Sequence, residues 1–167
     1  SEGAELVAIL GDGSFRDTEG VLQKVLNFAK SKKITREEIE AITGAPKTEL
    51  INGFLSALVE KNVERGIEAV RSASSLNLDM KLFLKLIIQK LRMAIIMRYA
   101  PKLEETMAGD LGKEDLEFIK SLIKEDKAGM LRSHALAVLL GAYQDIDRAF
   151  ITEHPLELAL VEIVGEK

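Results

Sequence analysis

The sequence predicts an all-α protein in which a small three-helix unit is followed by a larger helical bundle. Nearly every segment repeats its apolar residues at intervals of three or four, which is the period of an amphipathic helix. No run alternates apolar and polar residues between turn signals, as a half-buried strand would. With 167 residues, 47% of them apolar, the chain is long enough to bury a real core.

The first two helices are predicted from helix breakers and a cap. The first helix covers about residues 4–10 and ends at Gly11-Asp12-Gly13. Ser14 is a suitable N-cap for the second helix, which is expected to continue to Ser31 before a basic connector. Its apolar spacing predicts a buried face made of Val21, Leu22, Val25, Leu26, Phe28 and Ala29.

The third helix carries the clearest local signal. Thr35 and Glu38 have the spacing of a capping box, and the helix is expected to end at Thr43-Gly44. Pro46 then disfavours a helical conformation for Ala45 and suits the start of a new helix. We therefore predict two domains, residues 1–45 and 46–167.

Six helices are expected in the larger domain, at about 47–62, 63–74, 80–100, 113–124, 128–150 and 156–164. Asp79 is the expected cap of the helix over 80–100, which is apolar around most of its circumference. We therefore expect that helix to be central or to pack against another subunit. Its charged residues make it a poor membrane span; they are Lys81, Lys85, Lys90 and Arg92.

Several kinds of chemistry are excluded or disfavoured. There is no cysteine, and His134 and His154 lack the spacing of metal ligands, so no metal site and no catalytic residue are expected. No Gly-x-x-x-x-Gly-Lys-Ser/Thr loop is present, so the chain alone should not bind ATP well. Glu37, Glu38 and Glu40 are expected on a solvated helix face.

The composition also limits what the protein is expected to bind and where it is expected to act. A net charge of −4 gives no general reason to expect nucleic-acid binding. The absence of cysteine and of a secretory signal leads us to expect a cytoplasmic protein. Because the chain starts at Ser1 without a Met, we expect it to be a piece of something larger.

Arg16 is the candidate functional residue. A guanidinium in the first turn of a helix is well placed to contact an anionic group, because its planar fork matches phosphate oxygens. Taken alone, the residues favour a solvated Arg16 that pairs loosely with Asp17 or Glu19.

Four motifs, in order, give the chain a resemblance to the clamp-loader AAA+ family. Gly13-Ser14-Phe15-Arg16-Asp17 is similar to that family's sensor-2 motif, and residues 34–44 resemble the segment that closes its lid domain. Residues 47–101 resemble the collar helices, and Pro-Leu-Glu-Leu-Ala at 155–159 resembles the last of them. Within the family, the likeness is greatest to the gamma/tau type of bacterial DNA polymerase III. The residues after Asp17 depart from the family pattern, so the chain would be a divergent member.

The resemblance implies a lid domain over residues 1–45 and an oligomerisation collar over 46–167. Arg16 would contact the γ-phosphate of ATP bound by a missing nucleotide-binding domain, with Ser14 and Asp17 supporting it. The parent protein would be an ATPase, whereas this chain would bind no cofactor by itself. The collar would join the other clamp-loader subunits, as a pentamer that loads a sliding clamp onto primed DNA, with no membrane partner.

Two alternatives stay open at the level of the sequence. The chain could be the C-terminal oligomerisation region of another AAA+ ATPase, such as those linked to recombination. It could also be a stand-alone helical protein-interaction module, in which Arg16 is a surface residue.

Overall fold

The computed structural model describes residues 2–11, 13–29, 34–103 and 111–165, and these residues form helices joined by short turns and loops, without a strand. The prediction of an all-α protein is confirmed. Short 3₁₀ helices cover Pro101–Leu103 and Ile146–Arg148. The α-helices are α1 (Glu2–Leu10), α2 (Phe15–Phe28), α3 (Arg36–Thr43), α4 (Thr48–Val59), α5 (Val63–Ser75), α6 (Met80–Tyr99), α7 (Lys113–Glu125), α8 (Ser133–Asp145) and α9 (His154–Gly165).

Helices α1, α2 and α3 pack against one another. The predicted capping box opens α3: the Thr35 hydroxyl accepts from the Glu38 amide at 3.3 Å, and a Glu38 carboxylate oxygen accepts from the Thr35 amide at 3.2 Å. The helix ends at Gly44, as predicted. The extended link from Gly44 to α4 contains Ala45 and Pro46, both buried. A domain boundary at this link stays a prediction.

The structure corrects the prediction for α2 in two respects. The helix ends at Phe28, because Ala29 has an extended backbone; Ser31 and the rest of the connector lie outside the described residues. Of its predicted buried face, Val25 alone is buried, and Leu22, Leu26 and Phe28 are exposed. The reason is that the main contacts of α2 are with α1 and α3, two short helices that cannot cover its whole apolar surface.

The remaining helices form a bundle around α6. Helices α4 and α5 make an antiparallel hairpin, α8 packs against α9, and α6 contacts α4, α7 and α8. Of the two expectations for this helix, the structure shows the central position among the described residues. Asp79 caps α6 as expected, since its carboxylate accepts from the Lys81 and Leu82 amides at 2.9 and 3.0 Å. No helix in the described part of the chain is both long enough and apolar enough to cross a membrane.

The helix predicted over residues 128–150 is shorter in the structure. It begins at Ser133, because the buried Asp126 carboxylate accepts from the Met130 and Leu131 amides at 2.7 and 2.9 Å. Gly129 has a φ of +70°, which an α-helix does not permit. A side chain therefore takes the amides that a longer helix would have used. The α-helix gives way to a 3₁₀ turn after Asp145.

Candidate functional site

The start of α2 is set by a tight turn from the end of α1. The Ser14 amide donates to the Gly11 carbonyl at 2.8 Å, and Gly13 has a φ of +77°. A Cβ on Gly11 would lie 1.9 Å from the Thr18 hydroxyl oxygen and 2.7 Å from the Thr18 Cα. Only glycine therefore lets the end of α1 approach the first turn of α2 so closely.

Ser14 is the N-cap of α2, as predicted. Its hydroxyl oxygen accepts from the Asp17 amide at 3.3 Å. Its carbonyl oxygen accepts from both the amide and the hydroxyl of Thr18, at 3.0 and 2.8 Å. The sequence-predicted residues Ser14, Arg16 and Asp17 thus share one helical turn, in which Ser14 fixes the backbone and the other two side chains are exposed.

Arg16 has a guanidinium with no intramolecular partner among the described residues. Neither Asp17 nor Glu19, the partners that the sequence suggested, forms an ion pair with it. The positive end of the helix dipole lies beside it, although Asp17 offsets part of that charge. A free guanidinium near helix amides is chemically suited to bind an anion such as a phosphate.

An exposed apolar surface lies next to Arg16. Phe15, Leu22 and Leu26 are spaced by seven and four residues, so they lie along one face of α2. We call these three residues the α2 stripe. Phe15 is 88% exposed, although a phenylalanine normally gains free energy by burial. The candidate site therefore combines an unpaired cation with an apolar surface that no other part of the described chain covers.

A second exposed apolar surface lies near the C-terminus. Phe150 is 101% exposed and precedes α9, on which Leu158 and Val161 are exposed three residues apart. We call these three residues the C-terminal patch. His154 opens α9 and is exposed, whereas His134 lies half-buried in the first turn of α8. Among the described residues, no group of His, Cys, Asp or Glu could hold a metal ion.

Sequence reasoning missed a buried network of charged side chains. Asp115 of α7 accepts from Lys90 of α6 at 2.5 Å and from Arg36 of α3 at 2.9 Å. Arg36 also donates to Glu40, one helical turn away, at 3.2 Å. The Lys90 ammonium donates to the side-chain oxygen of Asn52 on α4 at 2.9 Å. With Thr48, whose hydroxyl donates to Glu40 at 2.9 Å, these residues form what we call the Asp115 network.

The Asp115 network corrects one prediction. Glu40 was expected on a solvated helix face, but it is buried, while Glu37 is exposed and Glu38 is half-buried in the capping box. Burial lowers the pKa of Lys90, and this effect exceeds the opposing attraction of Asp115. One sequence signal was present: Lys90 directly precedes Leu91 and follows Ile87 by three residues, so it shares their apolar face.

No protein-family model matches this chain, and no curated protein shows significant similarity to it.

Proposed function

We propose that this chain is the lid and collar region of a clamp-loader AAA+ ATPase, of the gamma/tau type of bacterial DNA polymerase III. The observation that carries the proposal is Arg16: it lies in a motif like that family's sensor 2, on a capped helix start, exposed and without an intramolecular partner among the described residues. A residue that must contact a ligand held by another domain needs this freedom.

In this function Arg16 contacts the γ-phosphate of ATP held by a nucleotide-binding domain of the same subunit. A guanidinium binds two phosphate oxygens at once, so the contact depends on an intact γ-phosphate. Hydrolysis removes these contacts and releases the lid from the ATPase domain. ATP is thus a ligand of the whole protein, with Ser14 holding the turn that presents Arg16.

The two exposed apolar surfaces support the same proposal. The α2 stripe flanks Arg16 and offers a surface on which a nucleotide-binding domain can rest. The C-terminal patch lies in the collar region and offers a contact for neighbouring clamp-loader subunits. The assembled pentamer, rather than this chain, would engage the sliding clamp and primed DNA.

The decisive experiment replaces Arg16 with Ala in the parent ATPase, assembled with its partner subunits. We expect ATP-dependent clamp loading to fall by roughly a hundredfold or more, as when one donor to a developing charge is removed. Lys24→Ala is the matched control, because Lys24 is another exposed cation on α2 and should have no effect. Equal clamp loading by the native protein and both variants would refute the sensor role.

A stand-alone protein-interaction module is the second candidate. The observation that favours it is the pair of exposed apolar surfaces, which a docked protein of any kind would cover. In that case the full-length protein shows no ATP-dependent clamp loading, and neither Arg16→Ala nor Lys24→Ala changes its activity. The same experiment therefore separates the two candidates.

A further inference from the structure

We propose that the Asp115 network is a latch that holds helices α1–α3 in one orientation on the α4–α9 bundle. The network is largely buried, and its members come from both sides of the link at residues 44–47. This inference does not depend on the proposed function, since it concerns how two parts of this chain are joined.

The Asp115 carboxylate connects the two parts of the chain. The two oxygens of Asp115 have different partners: Oδ1 accepts from Lys90, within the bundle, and Oδ2 accepts from Arg36, on α3. The side chains of all three residues are at most 11% exposed. Moving α3 away therefore removes one of the two cations that compensate the buried Asp115 charge.

Two further polar contacts cross the same junction. The Thr48 hydroxyl at the start of α4 donates to Glu40 of α3 at 2.9 Å. The Lys85 ammonium on α6 donates to the Ile9 carbonyl at the end of α1 at 3.2 Å. Hydrogen bonds are directional, whereas apolar contacts tolerate sliding, so these bonds select one orientation more sharply than apolar packing does.

The energetics favour a specific arrangement more than a large gain in stability. Burying charges carries a desolvation cost that can cancel the attraction of an ion pair, but removing one partner leaves an uncompensated buried charge. An orientation that breaks the contact between Arg36 and Asp115 is penalised for that reason. The network thus discriminates between orientations even where its net contribution to folding is small.

A polar cleft beside the Asp115 network makes the latch reversible. A polar cleft of about 140 Å³ borders the network and is lined by Arg36, Glu40, Thr48, Asn52 and Asp115, among others. A cleft of this size is large enough to hold water molecules. Water can therefore solvate Arg36 and Asp115 when α3 moves, which lowers the cost of opening the latch.

The test measures the distance between the two parts of the chain. Because the chain lacks cysteine, Gln23→Cys on α2 and Lys124→Cys on α7, both exposed, provide two unique sites for spin labels. Double electron–electron resonance should give one narrow distance distribution for the otherwise native chain. Arg36→Met, which leaves the Lys90–Asp115 pair intact, should at least double the width of that distribution or add a second population.

Two further variants and one second measurement complete the test. Glu60→Gln removes the exposed Arg65–Glu60 ion pair and should leave the distribution unchanged. Thr48→Val removes only the bond to Glu40 and should broaden the distribution less than Arg36→Met does. Amide hydrogen exchange checks that α1–α3 stay folded.

Broadening by Arg36→Met with native amide protection in α1–α3 supports the latch. An unchanged distribution overturns it. Broadening accompanied by loss of protection in α1–α3 also overturns it, because Arg36 would then stabilise the fold of α3 rather than its orientation.

Discussion

Two arginines, Arg16 and Arg36, both lie in the first turn of a helix in the same three-helix unit, yet their surroundings are opposite. The Arg36 side chain is 11% exposed and donates to Glu40 and Asp115. The Arg16 side chain is exposed and has no partner in the described part of the chain. The Arg36 guanidinium makes two side-chain hydrogen bonds within the fold, whereas the Arg16 guanidinium makes none with the described residues.

The difference shows how a charge can be assigned a role. A buried cation must be compensated inside the protein, so the Arg36 partners define a structural junction. An exposed cation without a partner contributes little to folding, so its position in a motif has to be explained by a ligand or by chance. A mutation of Arg36 should therefore change the stability of the protein, whereas a mutation of Arg16 should change its activity.

The largest expected effect comes from Asp115→Ala. The change removes the anion shared by Lys90 and Arg36 and deprives the buried Lys90 of the carboxylate to which it donates. We expect a loss of about 3–5 kcal/mol in the free energy of unfolding, measured by urea denaturation. Glu68→Ala, at an exposed position on α5, is the control and should change the value by less than about 0.5 kcal/mol. A loss below about 1 kcal/mol for Asp115→Ala would mean that the network contributes little.

The next prediction compares the two arginines directly. Arg36→Ala should lower the free energy of unfolding by about 3 kcal/mol, because it breaks a buried pair from one side. Arg16→Ala should change it by less than about 0.5 kcal/mol, because no intramolecular contact of the described residues is lost. Thermal and urea unfolding of both variants provide the measurement. Equal destabilisation by the two changes would remove the distinction between a structural and an available arginine.

Local signals in the sequence predicted the helices well, and tertiary effects account for the errors. The capping box of Thr35 and Glu38 and the Asp79 cap were predicted, because each involves residues close together in the chain. The burial of α2 was overestimated, since periodicity shows which face is apolar but not how many helices cover it. The start of α8 was placed too early, since nothing in the apolar pattern shows that Asp126 binds the Met130 amide.

The start of α2 and the Asp115 network also differ in how well the sequence predicted them. The start of α2 was predicted from one short motif, and its cap and turn agree with that prediction. The Asp115 network was not predicted, because Arg36 and Asp115 are 79 residues apart and only the fold brings them together. What the sequence could not show for Arg16 is its freedom from Asp17 and Glu19, which requires side-chain positions.

The smallest expected effect is a pH dependence of the free energy of unfolding. It arises from the buried cation Lys90 and not from the exposed lysines. Burial lowers the pKa of Lys90 below the ordinary lysine value of 10.5, although Asp115 and Glu5 attract its proton and Arg36 repels it. Asn52 faces the same ammonium as a neutral acceptor. The folded protein therefore releases this proton at a lower pH than the unfolded chain does.

The sign of the pH dependence follows from that difference. Between the lowered pKa of Lys90 and 10.5, the unfolded chain binds more protons, so the free energy of unfolding rises with pH. The slope from one group cannot exceed about 1.4 kcal/mol per pH unit. The free energy of unfolding of the native chain minus that of Lys90→Met should therefore increase with pH over the alkaline range below 10.5, because the titrations of the exposed lysines cancel in the comparison. A difference that instead decreases over this range would mean that the pKa of Lys90 is raised in the folded protein. The attraction of Asp115 would then outweigh the effect of burial.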